Sequence, residues 1–161
     1  MKSRAHVVTV SDGVAEGTRE DRSGQALVEL LRASAYDVSG PEVVPDAEER
    51  ITDAIVAATV AEKDLVVTTG GTGLGPRDVT PQATSLLVDY QVPGIAELMR
   101  RAGEASTPMA ALSRGVAGVR GRTLILNLPG SPKGATESLQ AVLPVLGHAI
   151  ELLHGHTRHG A

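Results

Sequence analysis

The 161-residue sequence predicts an α/β domain built on a mainly parallel sheet. Three observations carry that prediction. Short β-branched apolar runs alternate with amphipathic segments from His6 to Thr69, the pattern of strands joined by helical crossovers. Two later runs, Leu65–Thr69 and Thr123–Leu128, stop abruptly in glycine- and proline-rich turns that lead into helices. Finally, there is no Phe or Trp and the only aromatics are Tyr36 and Tyr90, so the core must be Val, Leu, Ile and Ala, which suits helices packed closely on a sheet.

In chain order, residues 6–10 (HVVTV) read as a first strand ending in Ser11-Asp12-Gly13. Residues 14–22 are polar and loop-like; the stretch is placed to cover a site at the strand end, while its individual charges read as solvated surface. Ser23 is placed to cap a helix with Ala26, Leu27, Leu30 and Leu31 on one face. Residues 36–44 form a second extended segment, and Gly40-Pro41 inside it predicts an edge or bent strand. Pro45-Asp46 then opens a helix with Ile51, Ala54, Ile55 and Ala58 inward. Asp46 reads first as the N-cap of that helix. Ligands of parallel sheets bind beyond the carboxyl ends of the strands. Ser11-Asp12, Asp46 and the turn at Gly70 all follow strands and belong on one rim, which gives Asp46 a second possible reading.

The turn after Leu65–Thr69 is the most informative stretch. It runs Gly70-Gly71-Thr72-Gly73-Leu74-Gly75-Pro76-Arg77-Asp78-Val79-Thr80. Glycines let the chain turn sharply and bring successive N–H groups to an anion, with phosphate the usual guest. Arg77 supplies a cation, Asp78 a carboxylate, and Thr80-Pro81 an N-cap with a first-turn proline. A Walker A loop is excluded because Gly75 is followed by Pro76-Arg77 rather than Lys-Ser/Thr. A dinucleotide fingerprint is excluded by the G-x-G-x-G spacing and the interrupting proline.

Beyond Thr80 a short helix runs to about Asp89, and a second carries Ile95, Leu98, Met99 and Ala102. Residues 109–119 are apolar but glycine-broken and read as short strands or turns. After the strand Thr123–Leu128, the turn Pro129-Gly130-Ser131-Pro132-Lys133 forms a second anion site. Ser131 caps a long apolar helix, with Pro144 placed to kink it. Two such loops on one rim suggest a ligand with more than one phosphate. The tail 154–161 holds three of the five histidines, and a disordered polar terminus is a better reading of it than a metal site.

Composition narrows the function classes. A net charge of −4 and the lack of aromatic platforms argue against a nucleic-acid partner. The absence of cysteine removes disulfides, thiolate metal sites and cysteine nucleophiles. No apolar run approaches membrane-spanning length, and residues 1–6 lead into a strand rather than a signal peptide. The expectation is one soluble cytoplasmic domain spanning 1–161.

Thr68-Thr69-Gly70-Gly71-Thr72-Gly73, Pro76-Arg77-Asp78-Val79-Thr80-Pro81, Val92-Pro93-Gly94, Leu112-Ser113-Arg114 and Asn127-Leu128-Pro129-Gly130-Ser131-Pro132 occur in this order. Together they resemble the molybdenum-cofactor family, in particular molybdopterin adenylyltransferases of the Mog and MoaB type and the homologous domains of gephyrin. The resemblance implies a three-layer α/β sandwich with a mostly parallel central sheet, usually assembled as a trimer. It implies transfer of AMP from Mg-ATP to the terminal phosphate of molybdopterin, with pyrophosphate released and the product passed to a molybdenum-inserting enzyme. By position, Gly70, Gly71, Thr72 and Gly73 would cradle the nucleotide phosphates. Pro129, Gly130 and Ser131 would form the second nucleotide loop, with Ser11 and Asp12 beside it. Ser113 matches a serine associated with substrate phosphate. Asp46 and Asp78 match the family's two functional acids, in catalysis or in holding Mg²⁺. Leu74-Gly75 lies in a variable segment, and Ser131 stands where relatives often carry an amide. The competing readings are a non-catalytic molybdopterin-binding or assembly paralogue of the MoaB type, and a nucleotide hydrolase akin to the competence-damage proteins.

Overall fold

The computed structural model describes residues 1–156. In chain order the elements are β1 (Arg4–Val10), α1 (Asp12–Ala15), α2 (Arg22–Ala33), β2 (Asp37–Val44), α3 (Glu48–Val60), β3 (Leu65–Thr69), α4 (Thr80–Leu87), β4 (Tyr90–Gln91), α5 (Pro93–Glu104), a 3₁₀ turn (Pro108–Leu112), β5 (Ala117–Arg120), β6 (Thr123–Leu128) and α6 (Pro132–Leu153). One six-stranded sheet has the order β2-β1-β3-β6-β5-β4. The pairs β1–β2, β1–β3 and β3–β6 are parallel, and β5 runs antiparallel to both β6 and β4. The central strands read as unbroken apolar runs because both of their faces are covered: every residue of β3 and β6 is buried.

Helices lie on both faces and make three layers. One core joins Leu27 and Leu31 of α2, Ile95 and Met99 of α5 and Leu139, Val142 and Leu146 of α6 to one face of the sheet. The other joins Ile51, Ala54 and Ile55 of α3 and Ala83 of α4 to the opposite face. As expected from Gly40-Pro41, β2 is an edge strand, and its register against β1 shifts between His6 and Val8, opposite that dipeptide. No helix among the described residues is long and apolar enough to cross a membrane.

Several local expectations are corrected. The cap of α2 is Asp21, which accepts from Gly24 N–H, and Ser23 lies inside the helix. The helix expected to open at Pro45-Asp46 begins at Glu48, with Ala47 at the cap position, so Asp46 does not cap it. Thr80 is the first residue of α4 rather than its cap, because its hydroxyl donates to Gly70 C=O at 2.9 Å. Residues 12–15 form a one-turn helix at the head of the expected loop. The two-residue β4 carries no sequence signal, and the expected short strands in 109–119 are the 3₁₀ turn and β5. Ser131 caps α6 as predicted, accepting from Gly134 N–H, and the helix is continuous through Pro144. Of the tail, His154 is placed by a 2.7 Å contact between Nε2 and Asp64 Oδ1, and residues 157–161 lie outside the described residues.

Candidate functional site

Four chain segments meet at the carboxyl rim of the parallel strands. They are Ser11-Asp12 after β1, Asp46 after β2, the glycine loop after β3 and Pro129–Ser131 after β6. Asp12 and Asp46 are locked together reciprocally. Asp12 N–H donates to Asp46 Oδ2 and Asp46 N–H donates to Asp12 Oδ1, both at 2.9 Å. This pairing, rather than helix capping, is what the Asp46 carboxylate does in the fold. Arg77 then forks onto Asp12, with Nε and Nη2 each donating at 3.0 Å. The cation expected to suit phosphate is therefore also paired with a carboxylate, and Asp12 is turned toward Arg77.

The two carboxyls are shifted in opposite directions. Burial pushes Asp46 above the ordinary carboxylate range; the charges of Asp12 and Asp78 add to the rise, against the Asp12 N–H and Arg77. Asp12 is held below that range, chiefly by the Asp46 N–H and further by Arg77.

The glycine loop has the geometry its sequence requires. Gly70 and Gly71 both have positive φ, at 103° and 69°. A side chain at Gly70 would strike Val10 C=O, and one at Gly71 would strike the Thr80 hydroxyl. Gly70 N–H is already given to Leu128 C=O at 3.0 Å. The N–H groups of Gly71, Thr72 and Gly73 have no such partner among the described residues. Asp78 Oδ2 accepts from Gly75 N–H at 3.0 Å and folds the loop's tip back on itself.

Two residues with no assigned role hold this arrangement. Arg114 donates to Gly73 C=O and Asp78 C=O, both at 2.9 Å, and its own N–H donates to Thr72 C=O. Asn127 is buried, donating to the Thr68 and Thr84 hydroxyls and accepting from Val116 N–H. Both lie inside the quoted motifs, but only the three-dimensional pairing shows what they do.

The rim opens into two hollows. One, of about 430 Å³, has an apolar side formed by Ala96, Met99, Met109, Ala110 and Leu112. Its polar lining includes Thr72, Ser113, Asn127, Arg100 and Glu137. The other, of about 630 Å³, contains Ser11, Asp46, Gly70, Gly71, Asp78 and Gly130. Ser131 lines both, so the N-terminus of α6 is their common wall. Asp12 lines neither and stands behind Asp46. The 14–22 stretch does border the rim, and its charges Arg19, Glu20, Asp21 and Arg22, expected to be solvated, line the polar hollow. Lys133 lines the apolar one.

Residues 6–148 match the family described as "Probable molybdopterin binding domain". The chain belongs to this molybdopterin-binding family. A molybdopterin adenylyltransferase of Helicobacter pylori strain J99 is 40% identical over 93% of this chain and 87% of its own length. Gephyrin of Dictyostelium discoideum is 40% identical over 92% of this chain, which spans only 22% of that longer protein. Among solved structures, the molybdopterin biosynthesis enzyme MoaB of Thermus thermophilus superposes with a TM-score of 0.89 at 56% identity, covering 95% of this chain and 97% of that one. The three-layer fold with its mostly parallel sheet is thus the fold of the molybdopterin-binding family.

Proposed function

We propose that this chain transfers the adenylyl group of ATP to the terminal phosphate of molybdopterin and releases pyrophosphate. The observation that carries this reading is the pair of adjoining hollows. One has an apolar wall suited to a heterocycle. The other is polar and holds Asp46 and Asp78, and the loop N–H groups of Gly71 to Gly73 lie along the two. The relative of Helicobacter pylori bears the name of this activity.

In the transfer, an oxygen of the pterin phosphate forms a bond to the α-phosphorus of ATP, and the bond from that phosphorus to the bridging oxygen of pyrophosphate breaks. The nucleophile is ionised near neutral pH, so no protein nucleophile or strong base is needed. Catalysis reduces to holding two phosphates in line and stabilising the charge that develops between them. The loop N–H groups and the N-terminus of α6 serve the second task. The Asp12–Asp46 pair and the Asp78–Gly75 contact fix the two acids for the first.

Magnesium fits these residues. Asp46 Oδ1 and Asp78 Oδ1 have no hydrogen-bond partner among the described residues, leaving two hard oxygen donors. Mg²⁺ commonly takes one or two carboxylates together with substrate phosphates and water. Bound there, the ion would neutralise charge on the transferring phosphate. The same reading includes a homotrimer, a cytoplasmic location and delivery of the product to a molybdenum-inserting enzyme.

Incubation with Mg-ATP and molybdopterin, assayed for adenylylated pterin and pyrophosphate, tests the proposal. Product is expected only with both substrates, and Asp78→Asn should lower the rate by roughly a hundredfold or more while retaining the fold. Pterin binding without product would replace the enzyme with the non-catalytic paralogue. AMP formed without pterin would replace it with a hydrolase.

A further inference from the structure

The first turn of α2 forms a wall of the polar hollow. Its cap, Asp21, is fully engaged: Oδ1 accepts from Gly24 N–H at 2.9 Å and Oδ2 from the Thr9 hydroxyl at 2.8 Å. Ser23, one turn position before Gly24, is only 8% exposed and lines the hollow. Neither its hydroxyl nor its N–H has a hydrogen-bond partner among the described residues. No sealed side-chain nitrogen or oxygen among those residues lacks a partner, so the Ser23 hydroxyl opens onto the hollow. A buried hydroxyl and N–H on one residue, at the positive end of a twelve-residue helix, form a two-pronged donor for an anion. The N-terminus of α6 enters the same hollow through Ser131 and Pro132.

We propose that Ser23, through its hydroxyl and N–H at the start of α2, binds a phosphate group of a substrate in the polar hollow. The inference rests on the reading above that a phosphorylated substrate occupies this hollow. Arg19 and Arg22 on the same wall favour an anion, whereas Glu20, Asp21, Asp46 and Asp78 oppose a bare one. Nucleotide and pyrophosphate probes are therefore supplied with magnesium. The phosphate has two possible sources, the nucleotide chain and the pterin phosphate, and both present the same chemistry to Ser23.

The test is calorimetric titration of wild type and Ser23→Ala with magnesium pyrophosphate, AMP, Mg-ATP and molybdopterin. Ser23→Ala should weaken at least one probe by roughly tenfold, the loss of a hydrogen bond to a charged group, with an unchanged circular-dichroism spectrum. A loss for pyrophosphate and ATP alone assigns the contact to the departing diphosphate. A loss that includes AMP assigns it to the α-phosphate, and a loss for molybdopterin alone to the pterin. Ser23→Asp, which puts a carboxylate at the same point, should weaken the affected probe further. Unchanged affinity of Ser23→Ala for all four probes overturns the inference. The two readings fail separately. Tight phosphate binding that depends on Ser23, without adenylylated pterin, removes the reaction and keeps the contact. Product formation with Ser23-independent binding does the reverse.

Discussion

Asp46 and Asp12 share two hydrogen bonds, yet their carboxyls respond to pH in opposite senses. The raised Asp46 ionises less readily folded than unfolded, so its contribution to stability falls as pH rises from the unfolded carboxylate pKa toward its folded one. The lowered Asp12 contributes stability that is present above the unfolded pKa and lost as pH falls through its folded value. Urea midpoints measured without metal between about pH 3 and pH 7 should therefore diverge. Asp46→Asn should gain on wild type as pH rises, and Asp12→Asn should lose on it. Parallel behaviour of the two variants would show that the pair is not set as described. Both acids were legible in the sequence as rim residues, but their partnership was not. It joins residues 34 positions apart through backbone N–H groups, which carry no residue-type signal. The Arg77–Asp12 pair was hidden for the same reason: only folding brings Asp12 to Arg77 from 65 positions away.

Helix caps were legible only in part: Ser23, Asp46 and Thr80, each expected to cap, do not cap their helices. Ser131 stands alone before Pro132 and caps α6. At α2, Asp21 and Ser23 are both good capping residues; Asp21 takes the cap because its other oxygen is held by Thr9 on β1. That outcome frees Ser23 to face the hollow. Strands of five or more apolar residues were visible, whereas β4 has two residues and exists only because β5 offers it an edge. The glycine loop was the clearest element, and its conformation sets a prediction. Gly71→Ala places a side chain at φ 69° against the Thr80 hydroxyl. It should cost about 1–2 kcal/mol in urea unfolding and weaken nucleotide binding, since the Gly71 N–H must move. An equally stable variant with wild-type affinity would show that the loop adapts.

The mainly parallel sheet followed from alternation, because parallel strands demand crossovers and crossovers demand helices on the faces, whereas the three-layer sandwich came from the family resemblance. Assembly is a different matter, since a single sequence holds no direct record of its copies. Val60, Leu74, Leu86 and Met109 are each more than 60% exposed, apolar surface that further copies could cover. Sedimentation equilibrium should give three times the mass of one chain; a single-chain mass would remove the trimer from the reading. The sheet order carries a last consequence, for how the polypeptide is made. β3 sits between β1 and β6 and is buried along its whole length, yet Thr69 waits for Pro129, sixty residues downstream, before the β6 side is closed. During synthesis that edge stays bare while the intervening helices emerge, an open invitation to a neighbouring nascent chain. The same late closure builds the wall shared by the two hollows. A growing chain is thus both most prone to aggregate and unable to complete its substrate sites until β6 slots in, so chaperone dependence and the onset of binding should share one point along the message.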